Sequence, residues 1–299
     1  MTLARYVPHA AWIALVIAAN VPAACSRDVL VGENNIALGS ARGSGAAGPG
    51  GGADAPSGCR RTSCQNHVYQ CGNCFDDDGD GLVDMDDPDC LGPCQNSEDS
   101  FSGIPGQNNQ ECTQDCYFDQ DSGSGNDDCI WSHKCDPLSV APDYPPEGAS
   151  CAYDPNATVP RQGRAGDCAT LRTTQSAQCL NVCGPLTPNG CDCFGCCTVS
   201  GSGPFWLGSV FAQGSPSCDI DHIADPTRCK PCTQVTACLN PCEDCELCVG
   251  KRVLPASCSS GGCVTPSCPA GLTPCGTPCL PGCPSGQACI TGCCVTAPH

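Results

Sequence analysis

The chain has 299 residues, of which 35 are cysteine, 35 glycine and 28 proline, and it carries a formal charge of −18 at pH 7. Only 47 residues are Leu, Ile, Val or Phe, a content that alone points to disorder, whereas cysteine above about 8–10% points to a disulfide scaffold. Cross-links can replace the core that so few apolar residues cannot build. The composition therefore predicts a small disulfide-rich fold, mostly irregular loops with short helices and hairpins, in several cross-linked modules in tandem. It disfavours a large single-core enzyme, a transmembrane bundle and a basic nucleic-acid binder.

Residues 1–24 read as an export signal. Arg5 supplies a positive start, and Ala10 to Ala19 form an apolar run of ten, too short for a bilayer that takes about 20 residues. The following Val21-Pro22-Ala23-Ala24-Cys25 resembles a bacterial lipoprotein signal, which implies lipidation of Cys25; Ser26 after it implies sorting to the outer membrane or cell surface. Pro22 departs from that pattern, and ordinary cleavage after Val21-Pro22-Ala23 is the alternative. The odd cysteine count fits lipidation, since removing Cys25 leaves an even number for bridges. Export also places the remaining thiols where they oxidise.

Residues 25–58 read as a tether. No cysteine lies between Ser26 and Gly58, and Gly39 to Gly58 is nearly all Gly, Ala, Ser and Pro, a flexible coil with a reach of about 30 Å. The cysteines then fall into three groups, with ten in the module at 59–136, sixteen in 151–258 and eight in 263–299. A Pro-rich linker at 137–150 and the stretch Ser259 to Gly262 separate them. Each group is even, so each could close its own bridges; the pairing itself is not readable.

In chain order, the spacing of Cys112 and Cys116 predicts a helical turn. A helix is expected from Cys168 to Cys183, capped by Asp167 and stopped at Gly184-Pro185. A hairpin is expected with Thr198-Val199 and Phe205 to Phe211 as arms and Gly201 to Gly203 as turn, and a second across Thr291-Gly292.

The sharpest motif is CFDDDGDGLVDMDDPDC, Cys74 to Cys90. As a twelve-residue calcium loop it places Asp76, Asp78 and Asp80 at positions 1, 3 and 5 and Gly81 at the sharp turn. Leu82 offers its carbonyl at position 7, Asp84 stands at position 9 and Asp87 at position 12. Six to eight oxygens at about 2.3–2.6 Å satisfy a calcium ion, which is the expected cofactor. Aspartate at position 12 and the lack of flanking helices resemble dockerin-type and thrombospondin type-3-like loops. Cys74 with Cys90, or Cys71 with Cys94, could clamp the loop in place of helices, with Kd on the order of 10⁻⁴–10⁻³ M. Residues 71–130 hold 16 acids and no Lys or Arg. A second stretch, Asp119 to Asp128, begins similarly but lacks the third carboxylate, and its role stays open.

Other chemistries are weaker. Cys71/Cys74, Cys193/Cys196 and Cys229/Cys232 have CxxC spacing without the scaffold of a redox motif. Cys242, Cys245 and Cys248 suit zinc or copper less well than disulfides. Asp219, Asp221 and His222 could form a small polar site, but no catalytic motif is present, so no catalytic residue is assigned. The loop, CDCFGCC at Cys191 to Cys197, CEDCELCVGK at Cys242 to Lys251 and the LTPCGTPCLPGC end together resemble cysteine-rich surface lipoproteins of myxobacteria and related bacteria. That resemblance carries no named activity. The expected function is a non-enzymatic surface protein, structural or adhesive, tied to a membrane by its lipid and meeting an unidentified protein or surface glycan, not nucleic acid. A protease-inhibitor or toxin-like module and an extracellular enzyme or metal-sequestering protein are the alternatives.

Overall fold

Regular structure is as sparse as the composition implies. The computed structural model describes residues 59–104, 112–119, 127–138, 148–161, 164–208, 217–260, 263–276 and 280–296. The signal, Cys25 and the tether lie outside these residues. The described residues all fall within one unit, 50–299. Strand β1 (Thr113–Gln114) pairs with β2 (Trp131–Ser132), and β3 (Thr158–Arg161) with β4 (Arg164–Asp167). Two short helices follow, α1 (Cys168–Thr173) and α2 (Ala177–Val182). A three-stranded antiparallel sheet is built from β5 (Cys196–Val199), β6 (Ser202–Trp206) and β7 (Lys230–Pro231). Strands β8 (Ser259–Ser260) and β9 (Cys263–Val264), then β10 (Gln287–Ile290) and β11 (Cys293–Thr296), close two further hairpins.

The expected helix over 168–183 is interrupted. Asp167 does start α1 by accepting the Thr170 N–H at 2.9 Å, but Thr174 is extended and Ser176 caps a new helix through the Cys179 N–H. Gln175 turns into the core between them. Its Nε2 donates to Leu171 O and Ile130 O, and its Oε1 accepts the Ile130 N–H. Those three bonds, with a second serine cap, outcompete one continuous helix that would have two threonines at its centre. The helical turn expected at Cys112 and Cys116 is instead β1. Pairing with β2 satisfies its backbone, and its two cysteines bond to separate partners, Cys151 and Cys183.

Both expected hairpins form. The one at β10–β11 turns across Thr291 and Gly292, both with positive φ, the conformation a two-residue hairpin turn needs. In β5–β6 the turn is Ser200-Gly201 rather than 201–203, because Val199 pairs with Ser202. Phe211 lies outside the described residues.

Sixteen disulfides join 32 described cysteines. Closure within each group does not hold for the first two. Cys59–Cys74, Cys64–Cys94 and Cys71–Cys90 stay inside the first. Cys112–Cys151, Cys116–Cys183, Cys129–Cys179 and Cys135–Cys168 cross the Pro-rich 137–150 stretch. No described bridge crosses 259–262, and Cys268–Cys293, Cys275–Cys289 and Cys283–Cys294 stay in the third group.

Cystine sulfur fills the interior between a few large side chains, chiefly Tyr117, Phe101, Trp131, Phe194, Leu171, Leu207 and Val235. Tyr117 is fully buried, with its hydroxyl donating to Phe101 O. Gly195, at φ 83°, lies against that ring so closely that a Cβ would come within 2.7 Å of it, so only glycine fits. Beside it Asp192 is buried, and its carboxylate accepts the N–H groups of Phe194, Cys196 and Val235. Burial still pushes its pKa up to about 7.

Candidate metal centre

The Cys74–Cys90 segment folds into a tight acidic turn because its own aspartates bind its backbone. Asp76 accepts the N–H groups of Gly79 at 2.6 Å and Gly81 at 3.1 Å. Asp78 accepts the Asp80 N–H at 3.0 Å, and Asp80 accepts the Leu82 N–H at 2.7 Å. Gly79 and Gly81 adopt φ of 85° and 97°, which lets the chain reverse twice in three residues. Asp76, Asp78 and Asp80 thereby converge, with one carboxylate oxygen from each within 4.8 Å of the others. Burial and the neighbouring Asp80 and Asp76 charges raise the Asp78 pKa, against the Asp80 N–H bond that lowers it.

Asp87 closes the turn from below. It is 1% exposed; its Oδ1 accepts the Asp89 N–H, and its Oδ2 is buried with no hydrogen-bond partner among the described residues. Burial, then the charges of Asp80 and Asp78, push its pKa up to about 6. A buried carboxylate oxygen without a donor, with two further carboxylate charges nearby, is costly unless a proton or a cation joins it. Leu82, 39% exposed, lies on the open side, and among the described residues no donor reaches its carbonyl.

Asp84 takes a different place from the one its spacing suggests. Its carboxylate turns to the loop entrance, where it accepts the N–H groups of Asn73 and Cys74 at 3.0 Å and lies 3.2 Å from the Cys59 sulfur. Burial raises its pKa. The structure therefore brings together Asp76, Asp78 and Asp80, with Asp87 close enough to feel the charges of Asp80 and Asp78, and leaves Asp84 as a backbone clamp. The expected disulfide clamp also differs: neither Cys74–Cys90 nor Cys71–Cys94 forms. One member of each proposed pair is used instead, Cys71–Cys90 spanning the loop, while Cys74 bonds Cys59 and Cys94 bonds Cys64. The 3₁₀ turn at Gln70–Gly72 carries Cys71, which bonds Cys90, while Cys74, also buried, bonds Cys59.

Glu98 is the residue that the spacing rules missed. It is 1% exposed and receives the Asp77 N–H at 2.5 Å on one oxygen and the Asp84 N–H at 2.6 Å on the other. One carboxylate thus staples both limbs of the loop. Burial, with Asp87 and Asp77 nearby, pushes its pKa up to about 7 despite those bonds. Asp89 anchors the exit by accepting the Ile220 N–H, and burial likewise takes it to about 7. Arg252 donates to Asp86 O and lies near Asp87, Asp89 and Asp80, a tethered positive charge at the edge of the site.

The other sequence candidates resolve into structure. None of the CxxC pairs closes on itself: Cys193 bonds Cys238, Cys196 bonds Cys232 and Cys229 bonds Cys218. Cys242–Cys248 and Cys245–Cys258 occupy the cluster that could have offered thiolates. Asp219 caps its turn and contacts His222 Nδ1 at 2.7 Å and Arg228, while Asp221 stays exposed. No described helix is long and apolar enough to cross a membrane. No family model matches this chain, and neither a curated protein nor a solved structure is significantly similar to it.

Proposed function

We propose that this disulfide-stabilised protein, made for an oxidising extracellular environment, is a surface lipoprotein held to a membrane by Cys25. Its 76–87 loop binds calcium, and its role is structural or adhesive rather than enzymatic. The observation that carries the calcium reading is the convergence of Asp76, Asp78 and Asp80, together with the buried Asp87, whose Oδ2 has no hydrogen-bond partner among the described residues and whose carboxyl feels the charges of Asp80 and Asp78. Four carboxylates, the Leu82 carbonyl and water offer a hard cation its oxygen shell. A disulfide frame with Glu98 holds that arrangement without helices, so binding stabilises the frame rather than opening a groove. Such a loop suits rigidity at a surface where calcium is plentiful.

The test is a thermal melt of the full mature chain with 10 mM calcium and with chelator. With Kd on the order of 10⁻⁴–10⁻³ M, calcium stabilises the fold by about 2 kcal/mol, a melting shift of about 4–6 °C. An unchanged curve removes the calcium reading. Fatty-acid labelling of cells, lost in a Cys25→Ser chain, tests the anchor. Calcium-dependent retention of the purified protein on whole cells or matrix tests adhesion.

A further inference from the structure

We infer that a second hard-cation site lies between Asp119 and Asp127, independent of the 76–87 loop. The two residues flank a segment, 120–126, that lies outside the described residues and forms no part of the candidate. Covalent geometry brings its two ends together. Cys116 bonds Cys183 and Cys129 bonds Cys179, and Cys179 and Cys183 stand one turn apart on α2 and its C-cap. The chain leaving Cys116 and the chain arriving at Cys129 are therefore tied to neighbouring points of one helical face. As a result, an oxygen of Asp119 and an oxygen of Asp127 approach within 4.8 Å of each other and of the Cys116 sulfur. That sulfur is spent in its bridge, which leaves oxygen as the only ligand chemistry and selects a hard cation over zinc or copper.

The second observation is the state of Asp127. It is fully buried, its Oδ1 accepts the Cys129 N–H at 3.0 Å, and its Oδ2 is buried with no hydrogen-bond partner among the described residues. Asp119 beside it is also buried, at 4% exposure. A buried carboxylate oxygen without a donor, next to a second carboxylate, is an unmet demand of the kind Asp87 also shows. Nothing in residues 71–130 can neutralise it from nearby in the chain, since that stretch has no Lys or Arg. A divalent cation bound by both carboxylates, with water completing its shell, removes both the orphaned oxygen and the repulsion.

Manganese broadening of backbone amide signals in the full chain tests this, because the ion extinguishes only amides close to it. Gly79 and Gly81 report the 76–87 loop, and Cys129 and Ile130 report the second site. We expect Cys129 and Ile130 to broaden in the wild type and also in a chain carrying Asp76→Asn and Asp80→Asn, whose first loop is disabled. In Asp127→Asn their broadening should fall to the manganese-free level while Gly79 and Gly81 still broaden. Calcium should reverse both effects. Sharp Cys129 and Ile130 signals in 10 mM manganese overturn the inference, whatever Gly79 and Gly81 do. Loss confined to Gly79 and Gly81 in the Asp76/Asp80 variant would leave it standing. If Asp127→Asn does not fold, the wild-type map decides alone.

Discussion

Asp87 and Asp192 are the same side chain under similar burial, and they meet opposite surroundings. Asp192 sits in the core with three backbone N–H groups on its two oxygens. Asp87 is buried with one N–H on Oδ1, no partner on Oδ2 among the described residues, and the charges of Asp80 and Asp78 nearby. Burial raises the pKa of both, to about 7 and about 6, so a shifted pKa does not distinguish them. What distinguishes them is the donor count. Asp192 works as a three-way staple joining Phe194, Cys196 and Val235, whereas Asp87 keeps one buried oxygen without a donor among the described residues.

The largest test of that contrast is Asp192→Ala. Three buried N–H groups would lose their acceptor at about 1–3 kcal/mol each, so the substitution should cost about 3 kcal/mol or more. The loss should be equal with calcium and with chelator, as read by thermal or denaturant unfolding of the oxidised chain. A loss that calcium repairs would mean that Asp192 belongs to an ion site after all.

That contrast also marks how far the sequence could be read. The turn of Asp76, Asp78 and Asp80 was legible because its geometry is local: each carboxylate binds an amide two to five residues ahead. Asp84 differs because it meets the Asn73 and Cys74 amides, 11 and 10 residues back, at an entrance that the Cys59–Cys74 and Cys71–Cys90 bridges frame, and the loop spacing carries no sign of that entrance. Glu98, Asp192 and Arg252 had no local signal at all. Their partners lie up to 21, 43 and 166 residues away, distances over which spacing carries no information. Bridge pairing was hidden for the same reason: four bridges run across the Pro-rich stretch that composition marks as a boundary. The broken helix fails differently, since Gln175 leaves the helical path for bonds to Ile130 in another part of the chain.

A smaller effect follows from pH. Asp87, Asp89, Glu98 and Asp192 all have folded-state pKa values raised above the ordinary carboxylate range. A raised acid holds its proton in the folded state while the unfolded chain has already lost it. Calcium-free stability should therefore fall as pH rises from about 4 to about 7. Asp167 and Asp225, held low by bonds from Thr170 and Thr227, titrate beneath that window. Asp87→Asn should raise the calcium-free melting temperature at pH 7 by about 2 °C, leave it unchanged near pH 4, and remove most of the calcium-induced shift. Asp192 shares the pH trend but not the calcium dependence, so melts across pH with and without calcium separate the two residues. Calcium-free stability that climbs with pH would contradict the assigned burial of all four.

The smallest expected effect belongs to Arg252, and it tests whether the loop's charge is what would hold the proposed ion. Its guanidinium donates to Asp86 O and lies near Asp87, Asp89 and Asp80, where it partly neutralises the carboxylates that calcium would use. The side chain is exposed, so solvent screening limits its weight to about 1 kcal/mol at most. Arg252→Ala should tighten calcium binding by about two- to fivefold at low ionic strength, measured by calorimetric titration. The gain should fade in about 0.5 M sodium chloride, where the screening length drops below the separations involved. A weaker calcium site in Arg252→Ala would mean that the arginine acts chiefly by holding the Asp86 carbonyl, and so the exit of the loop, in position. Because the carbonyl bond is less sensitive to salt than charge repulsion, the salt dependence tells those two roles apart.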